Sequence, residues 1–262
     1  MVLHKVLHKR LTFGTRTYVC CQLAIRALNA GLSFGMACAT PSVKKQLTTE
    51  PYADQKQHWP KSGRHILAQY DENSVVVYQA FNPSIAIYAV EHQEFGGDNF
   101  SYTRMSWIKT NFLWMMYRCG WVAKKNQERV LAVTLTRDGF EEILANAYTV
   151  HFQKSRNVRT EDIEVRLQWD PDHTPTGGKV ERRAIQLGLK GNMLKKYGKQ
   201  FIVKIEDITP FVKEQHQILN EKGQWEIHTP SERVYNVTDQ AVAQRIALDF
   251  HETGPTLVSS TS

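Results

Sequence analysis

The most densely apolar part of the chain is the segment Arg104–Trp121, which reads RMSWIKTNFLWMMYRCGW. Trp107, Trp114 and Trp121 stand seven residues apart in it. Because that spacing is close to two turns of an α-helix, it predicts a helix with three indoles on one face and a C-cap at Gly120. Such a stripe is typical of a helix that faces the core, and a platform for stacking a substrate is the alternative.

Patterns typical of strands and helices follow one another irregularly along the chain. Strands are predicted at Arg64–Tyr70, Ser74–Phe81, Val130–Thr136, Val165–Trp169, Ala184–Leu189, Phe201–Ile208 and Glu232–Val237. Helices are predicted after Asn82–Ser84 and at Asp138–Ala147, Asn192–Tyr197, Pro210–Asn220 and Asp239–Leu248, and a turn at Trp169–Asp172. Since neither a regular strand–helix–strand alternation nor a repeat is present, the sequence predicts an α+β fold.

The excess of basic residues lies at the N-terminus. The formal net charge is +7, yet no Asp or Glu precedes Glu50, and residues 50–262 hold as many acidic as basic side chains. This balance excludes a general basic field over the body of the protein, although a local basic patch is compatible with it. Residues 1–49 have the basic, Ser- and Thr-bearing composition that predicts a mitochondrial transit peptide.

Two other interpretations of this leader stay open. In the first, residues 1–49 are an extension of a cytoplasmic protein. In the second, they are a secretory signal with a cleavage site at Ala37–Ala39. Arg26 interrupts the apolar stretch Val19–Ala39. The apolar run is therefore too short to span a membrane.

Composition also divides the rest of the chain. Residues 50–62 contain Pro51 and Pro60 and are interpreted as a linker. A single globular domain is predicted over residues 63–250, with a disordered tail over residues 251–262. Cys119 is the one cysteine after the leader, which excludes a disulfide framework or a cysteine-based zinc site in the domain.

Sequence motifs of common catalytic sites are absent. The chain has no dinucleotide-binding glycine motif, no P-loop, no nucleophile elbow and no metal-binding spacing of its histidines, and no metal site is predicted. Asp170, Asp172 and His173 are close enough in sequence to ligate a divalent ion, but they are interpreted as part of an ordinary Asp-rich turn.

Polar side chains interrupt several apolar strands and stand beside large aromatic residues. They are Gln79, Arg104, Ser106, Gln186, Glu232 and Arg233. A buried polar group needs either hydrogen-bond partners or a cavity to face. Each of these side chains is therefore a satisfied buried group or part of a cleft, and their recurrence favours a shared cleft.

Several segments resemble the domain-of-unknown-function family 4291. They are Tyr70–Asp71, Val77–Ala80, Arg104–Lys109, Phe112–Arg118 and Trp169–Pro171, and the strings FLWMM and WDP are characteristic of the family. The resemblance extends from about Arg64 to Val237 and leaves the leader and the tail uncovered. It implies membership of a family without an agreed activity.

The order of three elements also resembles the catalytic domain of ADP-ribosyltransferases. These elements are Val77–Ala80, Arg104–Trp107 and Ser231–Tyr235. The resemblance implies mixed, mainly antiparallel sheets with NAD in a central cleft. Gln79 would then anchor NAD, Ser106 would shape the nicotinamide pocket, and Glu232 would bind the ribose and stabilise the charge that develops as nicotinamide leaves.

The same resemblance assigns the residues that bind the cofactor. Tyr78 or Trp107 would stack on nicotinamide. Arg64 or Arg104 would contact the diphosphate, because Gln79 stands where the family has a basic residue. Glu128 is an alternative to Glu232 as the essential carboxylate.

Two functions follow as hypotheses. The first is an NAD-consuming, ADP-ribosyltransferase-like enzyme whose acceptor is a nucleic acid or a protein. The second is a non-catalytic module for a nucleotide or a single-stranded nucleic acid, with an aromatic and basic face formed by Arg104, Trp107, Lys109, Trp114 and Arg118. Glu232 separates them, because the enzyme requires its carboxylate and the binding module does not.

Overall fold

Strands and helices alternate irregularly in the structure, a computed structural model that describes residues 47–249. The strands are β1 (Thr49–Pro51), β2 (Leu67–Ala68), β3 (Ser74–Phe81), β4 (Ser106–Lys109), β5 (Arg129–Thr136), β6 (Ala147–Tyr148), β7 (Val165–His173), β8 (Lys179–Leu189), β9 (Ile202–Asp207), β10 (His228–Pro230) and β11 (Arg233–Val234). The helices are α1 (Tyr52–His58), α2 (Pro83–His92), α3 (Phe112–Cys119), α4 (Arg137–Ala145), α5 (Val150–Ser155), α6 (Gly191–Lys196), α7 (Thr209–Lys222) and α8 (Gln240–Arg245). The predicted α+β class is confirmed, and the predictions for residues 1–46 and for the tail lie outside the described residues.

The main sheet has seven strands in the order β6-β7-β8-β4-β3-β5-β9. Its neighbouring strands are antiparallel except for β6 and β7, which are parallel. β3 pairs with β5 along its whole length, from Ser74 opposite Thr136 to Phe81 opposite Arg129. Two small antiparallel pairs, β1 with β10 and β2 with β11, complete the mainly antiparallel arrangement.

The main sheet separates two hydrophobic cores. Val75 and Val77 of β3 belong to the first core together with residues of α2, α4 and α8. Val76 and Tyr78 belong to the second core, to which α1, α3 and α7 contribute. Because successive side chains of a strand point to opposite faces, β3 is apolar almost throughout and is buried on both sides.

The apolar segment 104–121 forms a strand and a helix rather than one long helix. Its first part becomes β4, which pairs with β8, and α3 begins only after Asn111, whose side chain accepts a hydrogen bond from the Trp114 amide at 2.8 Å. Trp107 therefore lies on β4 and Trp121 lies beyond α3, so the prediction of three indoles on one helix face is wrong. The predicted C-cap is confirmed, since Gly120 adopts a left-handed φ of 60° and its amide donates to the Met116 carbonyl.

The turn predicted at Trp169–Asp172 is part of a strand. β7 continues to His173, and Pro171 lies opposite Arg183 of β8. The short strand β6 pairs with β7 only at Val165 and Arg166 in the described structure, so the side of Pro171 that lacks an N–H needs no partner strand.

The segment predicted as a linker is an integral part of the fold. The Tyr52 amide donates to the Ile227 carbonyl at 2.9 Å, and the Gln55 side chain donates to the Thr229 hydroxyl at 2.8 Å. Trp59 is 6% exposed, and its indole N–H donates to the Glu232 carbonyl at 2.8 Å. The prolines on which the linker interpretation rested only bound the short elements β1 and α1.

We predict that Trp59→Ala lowers the free energy of unfolding by about 3–5 kcal/mol, because it removes a buried aromatic side chain and the partner of a buried carbonyl. Trp225→Ala is the matched control, since that indole is 50% exposed, and it should cost less than half as much. Urea denaturation of the full chain measures both changes. Equal, small losses for the two variants would mean that residues 50–62 do behave as a linker.

Candidate functional site

A pocket lies where β4 separates from β3. Among the described residues of the two strands, the register pairs Tyr78 with Lys109 and no others. Beyond that pair the Gln79 side chain bridges the gap, because its Nε2 donates to the Trp107 carbonyl at 3.0 Å and to the Ser106 hydroxyl at 2.8 Å. These two hydrogen bonds of the Gln79 amide replace the main-chain hydrogen bonds that are missing between β3 and β4.

The Gln79 amide is fixed from its other end as well. Its Oε1 accepts a hydrogen bond of 2.7 Å from the Tyr197 hydroxyl. Burial raises the pKa of Tyr197 well above its ordinary value, so this hydroxyl stays protonated and remains a donor. Gln79 is a buried amide with all its polar atoms bonded, and it positions the backbone of β4 rather than offering a free group to a ligand.

The pocket has a volume of about 450 Å³, within the usual range for small-molecule sites. Its lining includes two arginines, one lysine, one indole and three amides, from Gln79, Arg104, Trp107, Lys109, Arg118, Gln127 and Gln186. None of the described residues that line it carries a carboxylate. We call this cavity the basic pocket, and its charge favours an anionic ligand.

Two arginines stand at the exposed side of the basic pocket. Arg118 lies in the last turn of α3, where it donates a hydrogen bond of 3.3 Å to Gln127. Arg104 precedes β4, is exposed, and forms no hydrogen bond or ion pair with other residues in the part of the chain that the structure describes. Both guanidinium groups therefore keep donors available for a ligand.

Lys109 lies deeper, with only 3% of its surface exposed. Its Nζ lies 4.5 Å from the centre of the Trp114 ring. Burial and, to a smaller extent, the charge of Arg118 lower the pKa of Lys109 to about 7, against a smaller raising effect of Asp170. At neutral pH a large fraction of this side chain is therefore an uncharged amine.

A second cavity adjoins the basic pocket. It has a volume of about 400 Å³, and Phe81, Arg104, Met105 and Ser106 line both cavities. The rest of its lining is aromatic, aliphatic and amide-bearing, and includes Asn82, Asn99, Phe100 and Asn126. We call it the adjoining cavity. A ligand that occupied both cavities would lie against Arg104.

Glu232 does not line either cavity. It is 5% exposed and lies just before β11, where its Oε1 accepts from the Phe112 amide at 2.6 Å and its Oε2 from the Asn111 side chain at 3.0 Å. Its carboxyl group therefore caps the start of α3. Burial raises the pKa of Glu232 well above its ordinary value, although the hydrogen bond from Phe112 opposes this shift. This placement corrects the expectation that Glu232 shares a cleft with Gln79 and Ser106.

Arg64 and Tyr78 also lie outside both cavities. Arg64 forms an ion pair with Asp249 at 3.1 Å, next to the hydrogen bond between its amide and the same carboxylate. Tyr78 is fully buried in the second core and packs edge-on against Phe112. Because Tyr78 and Gln79 are neighbours on one strand, their side chains point to opposite faces of the sheet.

Glu128, the alternative carboxylate, accepts a hydrogen bond of 2.8 Å from the Asn126 amide. It is the neighbour of Gln127, which lines the basic pocket, but is itself not part of that lining. The carboxylate expected beside a bound ribose is therefore missing from the described lining at both predicted positions.

Asp172 and His173, which the sequence marked together with Asp170, form contacts within the fold. Asp172 is buried and accepts from Arg182 Nε at 2.9 Å, while Arg182 also donates to the Pro60 carbonyl. His173 stacks on Tyr117 with 3.6 Å between ring centres. Within residues 47–249 no three His, Cys, Asp or Glu side chains gather to form a metal site, and no helix combines the length and apolar character needed to cross a membrane.

Most residues of the basic pocket were predicted from the sequence, but Gln127 and the acidity of Lys109 were not. Gln79, Arg104, Ser106 and Gln186 were predicted to share a cleft, and the structure brings them together with Trp107. Glu232 and Arg233 were predicted in the same cleft and lie outside it, where Arg233 donates to the Tyr70 carbonyl. Gln127 was missed, because it lies in a polar loop with no apolar flanks to mark it. Lys109 was expected on an open basic face, and only its burial beneath α3 reveals its altered acidity.

We predict that Glu232→Ala lowers the free energy of unfolding by about 2–4 kcal/mol, because it leaves the Asn111 amide and the Phe112 N–H without their buried acceptor. Glu232→Gln should cost less, since an amide oxygen still accepts from Phe112. Denaturant unfolding of both variants tests this. Wild-type stability in Glu232→Ala would mean that the side chain does not serve to cap α3.

We predict that Lys109→Met raises the free energy of unfolding by about 1–3 kcal/mol at pH 7, because folding buries an amine that is fully charged in the unfolded chain. The folded-state pKa of Lys109 is about 7, below the unfolded value, so this cost is greatest below pH 7 and disappears as the pH rises toward about 10. The gain from the substitution should shrink over that range.

Urea denaturation at pH 7 and pH 10 measures this change, with Lys154→Met as the control because Lys154 is exposed. A loss of stability in Lys109→Met at pH 7 would show that the amine has a stabilising partner and would contradict the prediction.

The comparison with known proteins agrees with the resemblance noted in the sequence. No curated protein matches the chain at a significant level. The family model described as Domain of unknown function (DUF4291) matches residues 65–235, which include β3, β4, α3 and all the residues that form the basic pocket. The chain therefore belongs to this family of unknown function.

Proposed function

We propose that the protein binds a nucleotide, with its phosphates in the basic pocket and its base in or beside the adjoining cavity. The observation that carries this proposal is the convergence of Arg104, Lys109 and Arg118 on one pocket whose described lining contains no carboxylate. Such a site attracts a compact anion, because its described lining has positive charges and no carboxylate that would repel the anion.

The two arginines supply the donors that phosphate oxygens require. A guanidinium group presents a planar fork of N–H donors and keeps its charge at any physiological pH. Lys109 adds a third donor, and an entering phosphate favours its protonated form because opposite charges stabilise each other at short range. A phosphate that lies against Nζ should therefore bind with uptake of a proton at Lys109, whereas a phosphate that lies only against the two arginines should not.

The nucleoside part has apolar and amide surfaces to contact. Trp107 is partly exposed and lines the basic pocket, so that one face of the indole is available for stacking. The adjoining cavity offers Phe100 for contact with a ring and the amides of Asn99 and Asn126 for the polar edge of a base. Arg104 lies between these two regions.

This arrangement favours nucleotide binding over ADP-ribose transfer and over binding of a single-stranded nucleic acid. Transfer of ADP-ribose needs a carboxylate beside the ribose, and Glu232 instead caps α3 away from the pocket. A single-stranded nucleic acid needs exposed aromatic rings for several bases, but Trp114 is 6% exposed and lies under Lys109. NAD remains a suitable ligand for the proposed site as a dinucleotide, without the transfer reaction.

We predict that ATP, ADP and NAD bind the full chain and that adenosine binds at least tenfold more weakly, because it lacks the phosphates that the basic side chains would contact. Isothermal titration calorimetry at pH 7.5 measures each affinity. Arg118→Ala should weaken ATP binding about tenfold, which corresponds to the loss of one charge-assisted hydrogen bond.

Arg156→Ala is the matched control, because Arg156 is an exposed arginine next to α5 and outside both cavities. It should leave the affinity unchanged. Equal affinity for ATP and adenosine, or equal effects of the two arginine variants, would overturn the proposal.

A further inference from the structure

Among the lysines of residues 47–249, Lys109 differs from the other buried or half-buried ones because its amine has no polar partner. Lys196 pairs with Glu142 and Lys204 with Glu206, each at 2.7 Å or less. The Lys109 side chain forms no hydrogen bond or ion pair with any described residue, and it lines the basic pocket. An amine that is buried, unpaired and open to a cavity is chemically available to a ligand in that cavity.

The groups around Lys109 weaken its affinity for a proton. Arg118 of α3 repels its charge, Asp170 of β7 attracts it more weakly, and burial opposes it most strongly, so that its pKa is about 7. Trp114 contributes only the face of its ring, and Gln186 of β8 only an uncharged amide. The free amine is the form that attacks a carbonyl carbon, and lysines in such surroundings are the ones that form imines.

We propose that Lys109 forms an imine with an aldehyde or ketone that carries a phosphate or other anionic group, held by Arg104 and Arg118. The lone pair of Nζ attacks the carbonyl carbon, and the carbonyl electron pair moves to oxygen. The resulting carbinolamine loses that oxygen as water, which takes both protons of the original amine, and the carbon–nitrogen double bond forms. Hydrolysis reverses the step, so that no oxidant or reductant is consumed.

The anion requirement follows from the lining of the pocket. A neutral carbonyl compound gains nothing from the two arginines, whereas a phosphate bound by them brings the carbonyl carbon to the amine at high effective concentration. This proposal rests on the proposed function only in using the same basic pocket, since the bound species here is a carbonyl compound rather than a nucleotide.

The test uses pyridoxal 5′-phosphate as the probe, followed by borohydride reduction and peptide mapping by mass spectrometry. At pH 7 Lys109 should be labelled at least ten times faster than exposed lysines such as Lys154, because a large fraction of the Lys109 amine is uncharged there. At pH 9.5 the preference should fall. Uniform labelling at pH 7, or no label on Lys109, would overturn the proposal.

Two variants separate the role of the amine from that of the anion site. Lys109→Arg keeps a positive charge but cannot form an imine, so the rapid labelling at position 109 should disappear. Circular dichroism checks that this variant is folded. Arg118→Ala should slow labelling by pyridoxal more weakly than labelling by pyridoxal 5′-phosphate, because both probes then meet an amine that is more often protonated but only the second also loses a partner of its phosphate. An equal effect of Arg118→Ala on both probes would contradict an anion site that serves Lys109.

The outcomes for the two proposals are distinguishable. Normal ATP binding without labelling of Lys109 would overturn the imine and leave nucleotide binding intact. Rapid labelling of Lys109 in a protein that binds neither ATP nor NAD would support the imine and overturn the nucleotide site.

Discussion

The separation of β4 from β3 creates the basic pocket, and the Gln79 amide makes this separation tolerable. A gap in a sheet exposes main-chain groups that need partners, and an unpaired group buried there would cost about 1–3 kcal/mol. Gln79 satisfies the Trp107 carbonyl and is itself anchored by Tyr197, so the gap keeps a defined width. The positions of the Trp107 and Lys109 side chains on β4 depend on this gap, because it places both of them along the wall of the cavity.

Buried ionisable groups serve two different purposes in this protein. On one side, Glu232 and the pair of Asp172 with Arg182 are enclosed and hydrogen-bonded, and they tie α3 and the N-terminal segment to the rest of the domain. On the other, Lys109 is enclosed without a polar partner, which costs stability and leaves the amine free. Such a cost is typical of a functional position, because a group retained for stability alone would be paired or replaced by an apolar residue.

Local patterns were sufficient for some elements and misleading for others. β3 and β5 were recognisable from their β-branched runs, and Gly120 was recognisable as a helix C-cap, because these features depend on a few neighbouring residues. Ser106–Lys109 lies in the segment whose tryptophan spacing predicted a helix, but it pairs with β8, roughly eighty residues away in the chain. The supposed linker likewise becomes ordered through contacts of Gln55 and Trp59 with residues near the C-terminal end of the domain.

The amino-acid sequence by itself determined the family, through the strings around FLWMM and WDP, and it marked the polar residues that interrupt apolar strands. Only the tertiary structure decided which of these residues meet. Lys109 and Gln186 face each other across paired strands, whereas Glu232, on a separate short segment, is directed to the start of α3. Strand pairing joins residues far apart in the chain, and each residue's burial and acidity follow from that pairing, so neither can be deduced from its immediate neighbours in sequence.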